Sequence, residues 1–151
     1  MSKKIIELVK DLRADTGAGI MECKQALEST GGDLAKAKEL LKKQGLAKAK
    51  KKGDRETHQG YVATYTHANG KIGVMVKILC ESDFVSKNAE FQEFAKNLCL
   101  QVAAMAPKNV KEFLSQDYIK EPDQTIDQLV KSIIAKFGEN IKVDEIGRFE
   151  I

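Results

Sequence analysis

The side chains of this 151-residue chain best suited to metal binding or nucleophilic catalysis are two histidines and three cysteines. His58 and His67 fall in polar stretches, with neither a His-Glu-x-x-His spacing nor a cysteine pair near them, so they read as solvated loop residues rather than zinc ligands. Cys23, Cys80 and Cys99 are odd in number, far apart and form no Cys-x-x-Cys pair. That pattern argues against a disulfide framework and for a reducing, cytoplasmic setting. Cys23 and Cys99 sit in helical apolar stripes and Cys80 ends an alternating apolar run, positions where cysteine acts as a small hydrophobe. A thiol enzyme built on Cys80 would need a low-pKa sulfur there. The glycine-rich TGAGIM, Thr16 to Met21, lacks the length and lysine of a phosphate-binding loop, and no strand precedes it. It admits two readings, a sharp turn between helices or an exposed loop whose backbone a partner can approach closely. No enzyme centre and no cofactor follow from these residues.

The stretch CESDFVSKNAEF, Cys80 to Phe91, poses a different question. It joins a strand pattern to a helix pattern and ought to be polar, yet Phe84 stands in its middle and fits neither periodicity. The ring either folds back under the next helix as a hydrophobic staple or stands out as a wedge for a partner's pocket. An aromatic anchor of the second kind commonly carries ~2 kcal/mol or more of an interface. Periodicity does not decide between them.

Three short helices precede these residues. Ile5, Leu8, Val9 and Leu12 follow a helical stripe, TGAG breaks it, and Ile20, Cys23 and Leu27 resume it. Asp33 then caps a third helix with Leu34, Ala37 and Leu41 on one side and a stop expected at Gly45. Single helices of this length do not hold in water, so the stripes must cover one another. The run LAKAKKKGDRETHQ has no apolar face and reads as a basic linker. From Gly60 the period becomes two. Tyr61, Ala63 and Tyr65 share one strand face, Asn69-Gly70 suits a hairpin turn, and Ile72, Val74, Val76, Ile78 and Cys80 form the core face of the next strand. Asn88 caps a long helix with Phe91, Phe94, Ala95, Leu98, Val102 and Met105 in its stripe, ended by Pro107. Thr125 and Gln128 match a capping box before Ile126, Leu129, Val130, Ile133 and Phe137, closed by Gly138. The tail from Asn140 is expected to be a strand bent or bulged near Gly147.

The expected fold is therefore α+β. Residues 1–46 form a three-helix module, 47–59 a basic linker, and 60–151 a three-stranded antiparallel sheet with helices on one face. The second sheet face, with Met75 and Leu79 beside Gly73 and Lys77, is too apolar to sit comfortably in water and hints at a partner. With 25 basic and 22 acidic residues the formal charge is only +3, so nucleic-acid binding does not follow from charge. An RNA-binding alternative would have Lys48 to Lys52 neutralise phosphates while Tyr61 and Tyr65 stack on bases. The first residues have no long apolar run of the kind that marks a signal peptide or membrane span.

TGAGIMECKQAL, GGDLAKAKELLKKQGLAKAKKK, CESDFVSKNAEFQEFAKNLCLQVAAMAP and the GENI and RFE segments of the tail occur in an order that resembles bacterial translation elongation factor Ts, in its short version. The resemblance runs from about Val9 to the end. It implies a ubiquitin-associated-like (UBA-like) amino-terminal module and a guanine-nucleotide exchange factor for the GTPase elongation factor Tu, with no covalent chemistry, no cofactor and no need for nucleic acid or a membrane. The family's Thr-Asp-Phe-Val motif falls on Ser82, Asp83, Phe84 and Val85, with serine in place of threonine keeping the hydroxyl. The resemblance implies that this segment disturbs the partner's magnesium ion and loosens GDP. It implies a second contact at Thr16, Gly17, Ala18, Gly19, Met21 and Lys24, and a homodimer, for which the open sheet face argues an interface on the sheet from Lys71 to Cys80 and the tail from Asn140.

Overall fold

The structure, a computed structural model, describes residues 3–151; Met1 and Ser2, the first two residues of the expected module, lie outside it. Helices α1 (Lys3–Thr16), α2 (Ile20–Ser29) and α3 (Leu34–Lys52) pack around Val9, Leu12, Cys23, Ala26, Leu27, Ala37 and Leu41. Asp33 caps α3 as expected, its side chain accepting from Lys36 N at 3.1 Å. Ile5, Ile20 and Leu34 are exposed rather than buried in this cluster. Ile20 and Leu34 are the first residues of their helices, where the chain has only begun to enter the bundle.

Helix α3 corrects a second expectation. It does not stop at Gly45 but runs on to Lys52, so the lysine run stands on helical turns and Ala49 is buried in the larger core. The reason lies on another helix, α7 (Ile126–Phe137). A Cβ added at Gly45 would lie 3.2 Å from the Ala135 methyl, so the glycine permits two helices to touch instead of ending one.

Strands β1 (Gln59–Thr66), β2 (Ile72–Cys80) and β5 (Ile141–Glu150) form an antiparallel sheet in the order β1-β2-β5. The hairpin between β1 and β2 turns through a short 3-10 segment, with Asn69 and Gly70 both at positive φ. Ala63, Val74, Val76, Ile78, Cys80, Ile141 and Val143 face the core. The irregularity in β5 falls at Asp144 rather than near Gly147: Ile78 pairs with Val143 but Lys77 with Glu145. The extra residue places two carboxylates beside Lys77, whose ammonium lies 2.7 Å from Asp144 and 3.5 Å from Glu145.

On the inner face lie α5 (Ala89–Met105) and α7. Phe91, Phe94, Ala95, Leu98 and Val102 of α5 and Ile126, Val130 and Ile134 of α7 are buried, so the stripes land where their periodicity puts them. Met105, at the end of its stripe, is exposed. Helix α5 closes with Ala106 in the left-handed region at φ 46°. Three small elements had no counterpart in the sequence pattern: α4 (Asp83–Ser86), α6 (Val110–Ser115) and a ribbon of β3 (Asp117–Tyr118) with β4 (Glu121–Thr125). Gln101, fully buried on α5, holds the ribbon by donating to the Asp117 carbonyl and accepting from Ile119 N, both at 3.0 Å. The outer sheet face carries Val62, Met75 and Phe149 in the open. Among the described residues no helix is long and apolar enough to cross a membrane.

Candidate functional site

Ser82, Asp83, Phe84 and Val85 form the start of a single helical turn between β2 and α5. Ser82 is its cap, accepting from Val85 N at 3.4 Å. Val85 and Ser86 point inward and are buried. Phe84 points outward and is 86 % exposed, which removes the staple alternative. Asp83 pairs with Lys87 at 2.8 Å, and that hydrogen bond holds its carboxyl below the usual aspartate range.

A turn this short has no stability of its own. Its support comes from Glu139, whose carboxylate accepts from Glu81 N at 3.1 Å, from Ser82 N at 3.0 Å, and from the Ser82 hydroxyl in a short contact. Asn140, only 1 % exposed, donates its backbone N–H to the Glu81 carboxylate at 2.6 Å and its side-chain amide to the carbonyls of Gly53 at 3.2 Å and Arg55 at 2.7 Å. The Arg55 guanidinium lies 3.5 Å from Glu81. Sequence reasoning gave GENI no physical role. The only local signal was a polar pair wedged between a helix-closing glycine and a buried strand, and the partners lie 57 to 87 residues away.

The second expected contact, Thr16 to Met21 with Lys24, is a tight turn. Thr16 Oγ1 donates to the Leu12 carbonyl at 2.6 Å and accepts from Ala18 N at 3.3 Å, and Gly17 takes a positive φ of 68°. Gly19 N donates to Glu22 at 3.3 Å. Glu22 is also bound by Lys48 of α3 in a short ion pair, which lowers its pKa. Ile20 and Met21 are exposed, and Lys24 lies 3.7 Å from Glu28. The turn and loop readings therefore hold together. The two expected contact regions are joined by Lys136 of α7: its aliphatic stem lies against Gly17, and its ammonium pairs with Glu90, near the start of α5, at 2.9 Å.

The other chemical candidates are accounted for. All three cysteines are buried. Burial first, and the Glu139 charge second, push the Cys80 thiol up to about 11, and burial does the same for Cys99; Cys23 is raised by burial as well. These are the reverse of a nucleophile's requirements. His58 pairs with Glu56 at 2.8 Å and His67 with Tyr65 at 3.0 Å, all on the surface or near it. Among the described residues no group of three or more His, Cys, Asp or Glu is placed to hold a metal ion. Tyr61 and Tyr65 are half-buried and pack against the core. An open groove of about 580 Å³ runs between α5 and α7, floored in part by Phe94, Leu129, Ile133 and Phe137; neither histidine nor any cysteine lines it.

A family model described as "Elongation factor TS" matches residues 81–151, a span that begins at the Phe84 turn and includes Glu139 and Asn140. The elongation factor Ts of Desulfosudis oleivorans is 39 % identical over 95 % of this chain and 96 % of its own length. That of Thermosipho melanesiensis is 38 % identical over 96 % and 97 %, and that of Thermodesulfovibrio yellowstonii 36 % identical over 96 % and 94 %. The aligned stretch with the first is 189 residues long, longer than this 151-residue chain, so the relative carries residues with no counterpart here. With matches that run nearly end to end and a family model that takes in the Phe84 turn and its anchor, this chain belongs to the elongation factor Ts family.

Proposed function

We propose that this chain binds elongation factor Tu in its GDP form and promotes release of the nucleotide during translation elongation. The observation that carries the proposal is the exposure of Phe84 on a turn whose other residues are fixed. A lone aromatic ring held in water keeps its full apolar hydration until a pocket removes it, at a gain of ~2 kcal/mol or more. Phe84 is the inserting ring and Asp83 the polar group beside it. Ser82 and Val85 hold the turn from within. Thr16, Gly17, Ala18, Gly19, Met21 and Lys24 form the second contact, on a UBA-like amino-terminal module.

Magnesium in the partner neutralises the nucleotide's phosphates, so a segment that disturbs the ion's ligands removes the strongest local charge compensation of a polyanion. GDP then leaves faster. Affinity coupling is reciprocal: the factor by which this chain weakens GDP is the factor by which nucleotide weakens this chain, so rebinding of nucleotide ejects it. No bond is made or broken, and no cofactor takes part. The open outer face of the sheet, with Val62, Met75 and Phe149, supports a homodimer in which two copies cover one another there, and the setting is the cytoplasm.

The test is the dissociation rate of a fluorescent GDP from elongation factor Tu with and without this chain. Acceleration by the wild type and at least about tenfold less by Phe84→Ala, corresponding to the loss of one anchor, is the expected result. No acceleration by the wild type overturns the proposal, and binding to RNA that weakens steeply with salt would then replace it.

A further inference from the structure

Phe84 projects from a four-residue turn, so its direction must be imposed from outside that turn. The Glu139 carboxylate is placed to do so. It takes the N–H groups of Glu81 and Ser82 on one oxygen and the Ser82 hydroxyl on the other. The same hydroxyl accepts from Val85 N. A continuous path of hydrogen bonds therefore runs from Glu139 through Ser82 to Val85 and brackets Phe84 on both sides. Other supports act alongside it: the Val85 side chain is buried in the core, Lys87 pairs with Asp83 at 2.8 Å, the Cys80 thiol donates to the Ser82 carbonyl at 3.2 Å, and Gln92 donates to the Ser86 carbonyl at 3.1 Å.

Glu139 is itself held firmly. Before it stands Gly138, which closes α7 at φ 73° with its N–H on the Ile134 carbonyl. After it stands buried Asn140, tied to Gly53, Arg55 and Glu81. Three residues before Glu139, Lys136 spans from Gly17 to Glu90. The end of α7 thus touches the TGAG turn on one side and the Phe84 turn on the other.

We infer that Glu139 is a positioning residue for nucleotide exchange, acting through Ser82 to fix the direction of the Phe84 ring relative to the TGAG turn. The inference rests on the exchange function proposed above and goes beyond it by assigning the work of orientation to a residue outside both contact segments. Glu139 is half-buried behind the turn, with both carboxylate oxygens engaged by Glu81 and Ser82. A misplacement of about 1 Å in a positioned group can cost ~10²-fold in rate, and a ring released from one of several supports should lose part of that.

The experiment measures fluorescent GDP release from elongation factor Tu at saturating concentrations of wild type, Phe84→Ala, Glu139→Ala, Glu139→Gln and the double variant Phe84→Ala/Glu139→Ala. Glu139→Ala is expected to lower the maximal release rate about tenfold, a fraction of that ceiling. Glu139→Gln, which keeps an acceptor oxygen for the two N–H groups, should restore most of it. The double variant should be no slower than Phe84→Ala alone, because Glu139 has nothing left to orient; a merely structural role would give losses that multiply. An unchanged rate in Glu139→Ala, or multiplying losses in the double variant, overturns the inference while leaving the exchange function intact. Failure of the wild type to accelerate release overturns both. Should Glu139→Ala lose its fold by circular dichroism, Ser82→Ala takes its place in the same cycle, since it removes only the hydroxyl that joins Glu139 to Val85. The same absence of multiplication with Phe84→Ala is then expected, and multiplying losses overturn the inference.

Discussion

The side-chain amide of Asn140 reaches the backbone carbonyl of Arg55 at 2.7 Å, joining the start of β5 to the segment that follows α3. A second hydrogen of the same amide goes to Gly53. Removing both donors leaves two carbonyls without their partners. Asn140→Ala is therefore expected to destabilise the fold by about 2 kcal/mol, read as a lower urea midpoint at unchanged slope. Asn140→Asp, equal in shape but bringing a carboxylate against two carbonyls and near Glu81, should cost more.

Ala106 sits at φ 46° immediately before Pro107. A side chain in the left-handed region costs about 1–2 kcal/mol, and a following proline restricts the residue further. Ala106→Gly should raise the melting temperature by about 2–4 °C for a chain of this size, with exchange activity unchanged. A lowered melting temperature would show that freedom gained in the unfolded chain outweighs the strain removed.

Cys80 and Cys99 are both raised from the ordinary thiol value of 9.0 to about 11. The unfolded chain gives up these protons first, so their contribution to stability is complete below pH 9 and is lost as the pH climbs towards 11. Urea midpoints should fall over that window, and less so in the Cys80→Ala/Cys99→Ala variant. At pH 8 a small alkylating reagent should label none of the three buried thiols until denaturant is added; rapid labelling of Cys80 in the native chain would contradict the burial described here.

Met75 is 53 % exposed on the outer face of the central strand, and Phe149, 79 % exposed, lies on β5 beside it. If two copies cover one another there, Met75→Glu places a charge in the covered surface and should convert dimer to monomer in sedimentation at micromolar concentration, with the circular dichroism spectrum unchanged. A wild type that sediments as a monomer at that concentration sinks the dimer.

Long periodic elements were legible in the sequence because burial alone dictates them. The hairpin, α5 with its Asn88 cap and α7 with its Thr125–Gln128 box follow from apolar spacing and capping chemistry within a few residues. Gly45 misled because a glycine in a helix is costly in isolation, and its benefit, contact with Ala135, comes from a helix 90 residues on. The bulge at Asp144 was placed late because glycine attracted attention, whereas the residues that meet there, Lys77 with Asp144 and Glu145, come together only across the sheet. Helix α4 and the β3–β4 ribbon are too short to show a period. At the site, the motif around Phe84 could be read, but the direction of the ring could not, since it depends on Glu139 arriving from the far end of the chain.

The unbroken passage of α3 from the small helical cluster into the larger core has an energetic consequence for association. With Ala37 and Leu41 in one cluster and Ala49 in the other, α3 ties the helical cluster beside the TGAG turn to the core beneath the Phe84 turn as a rod rather than as a tether. If both turns meet one partner, as proposed, docking at either presents the other at a high effective concentration, and the loss of freedom that a flexible two-part ligand would suffer on binding has already occurred in folding. A flexible glycine-serine insertion within α3 after Gly45 would keep every residue of both turns in the chain and is expected to weaken the proposed complex.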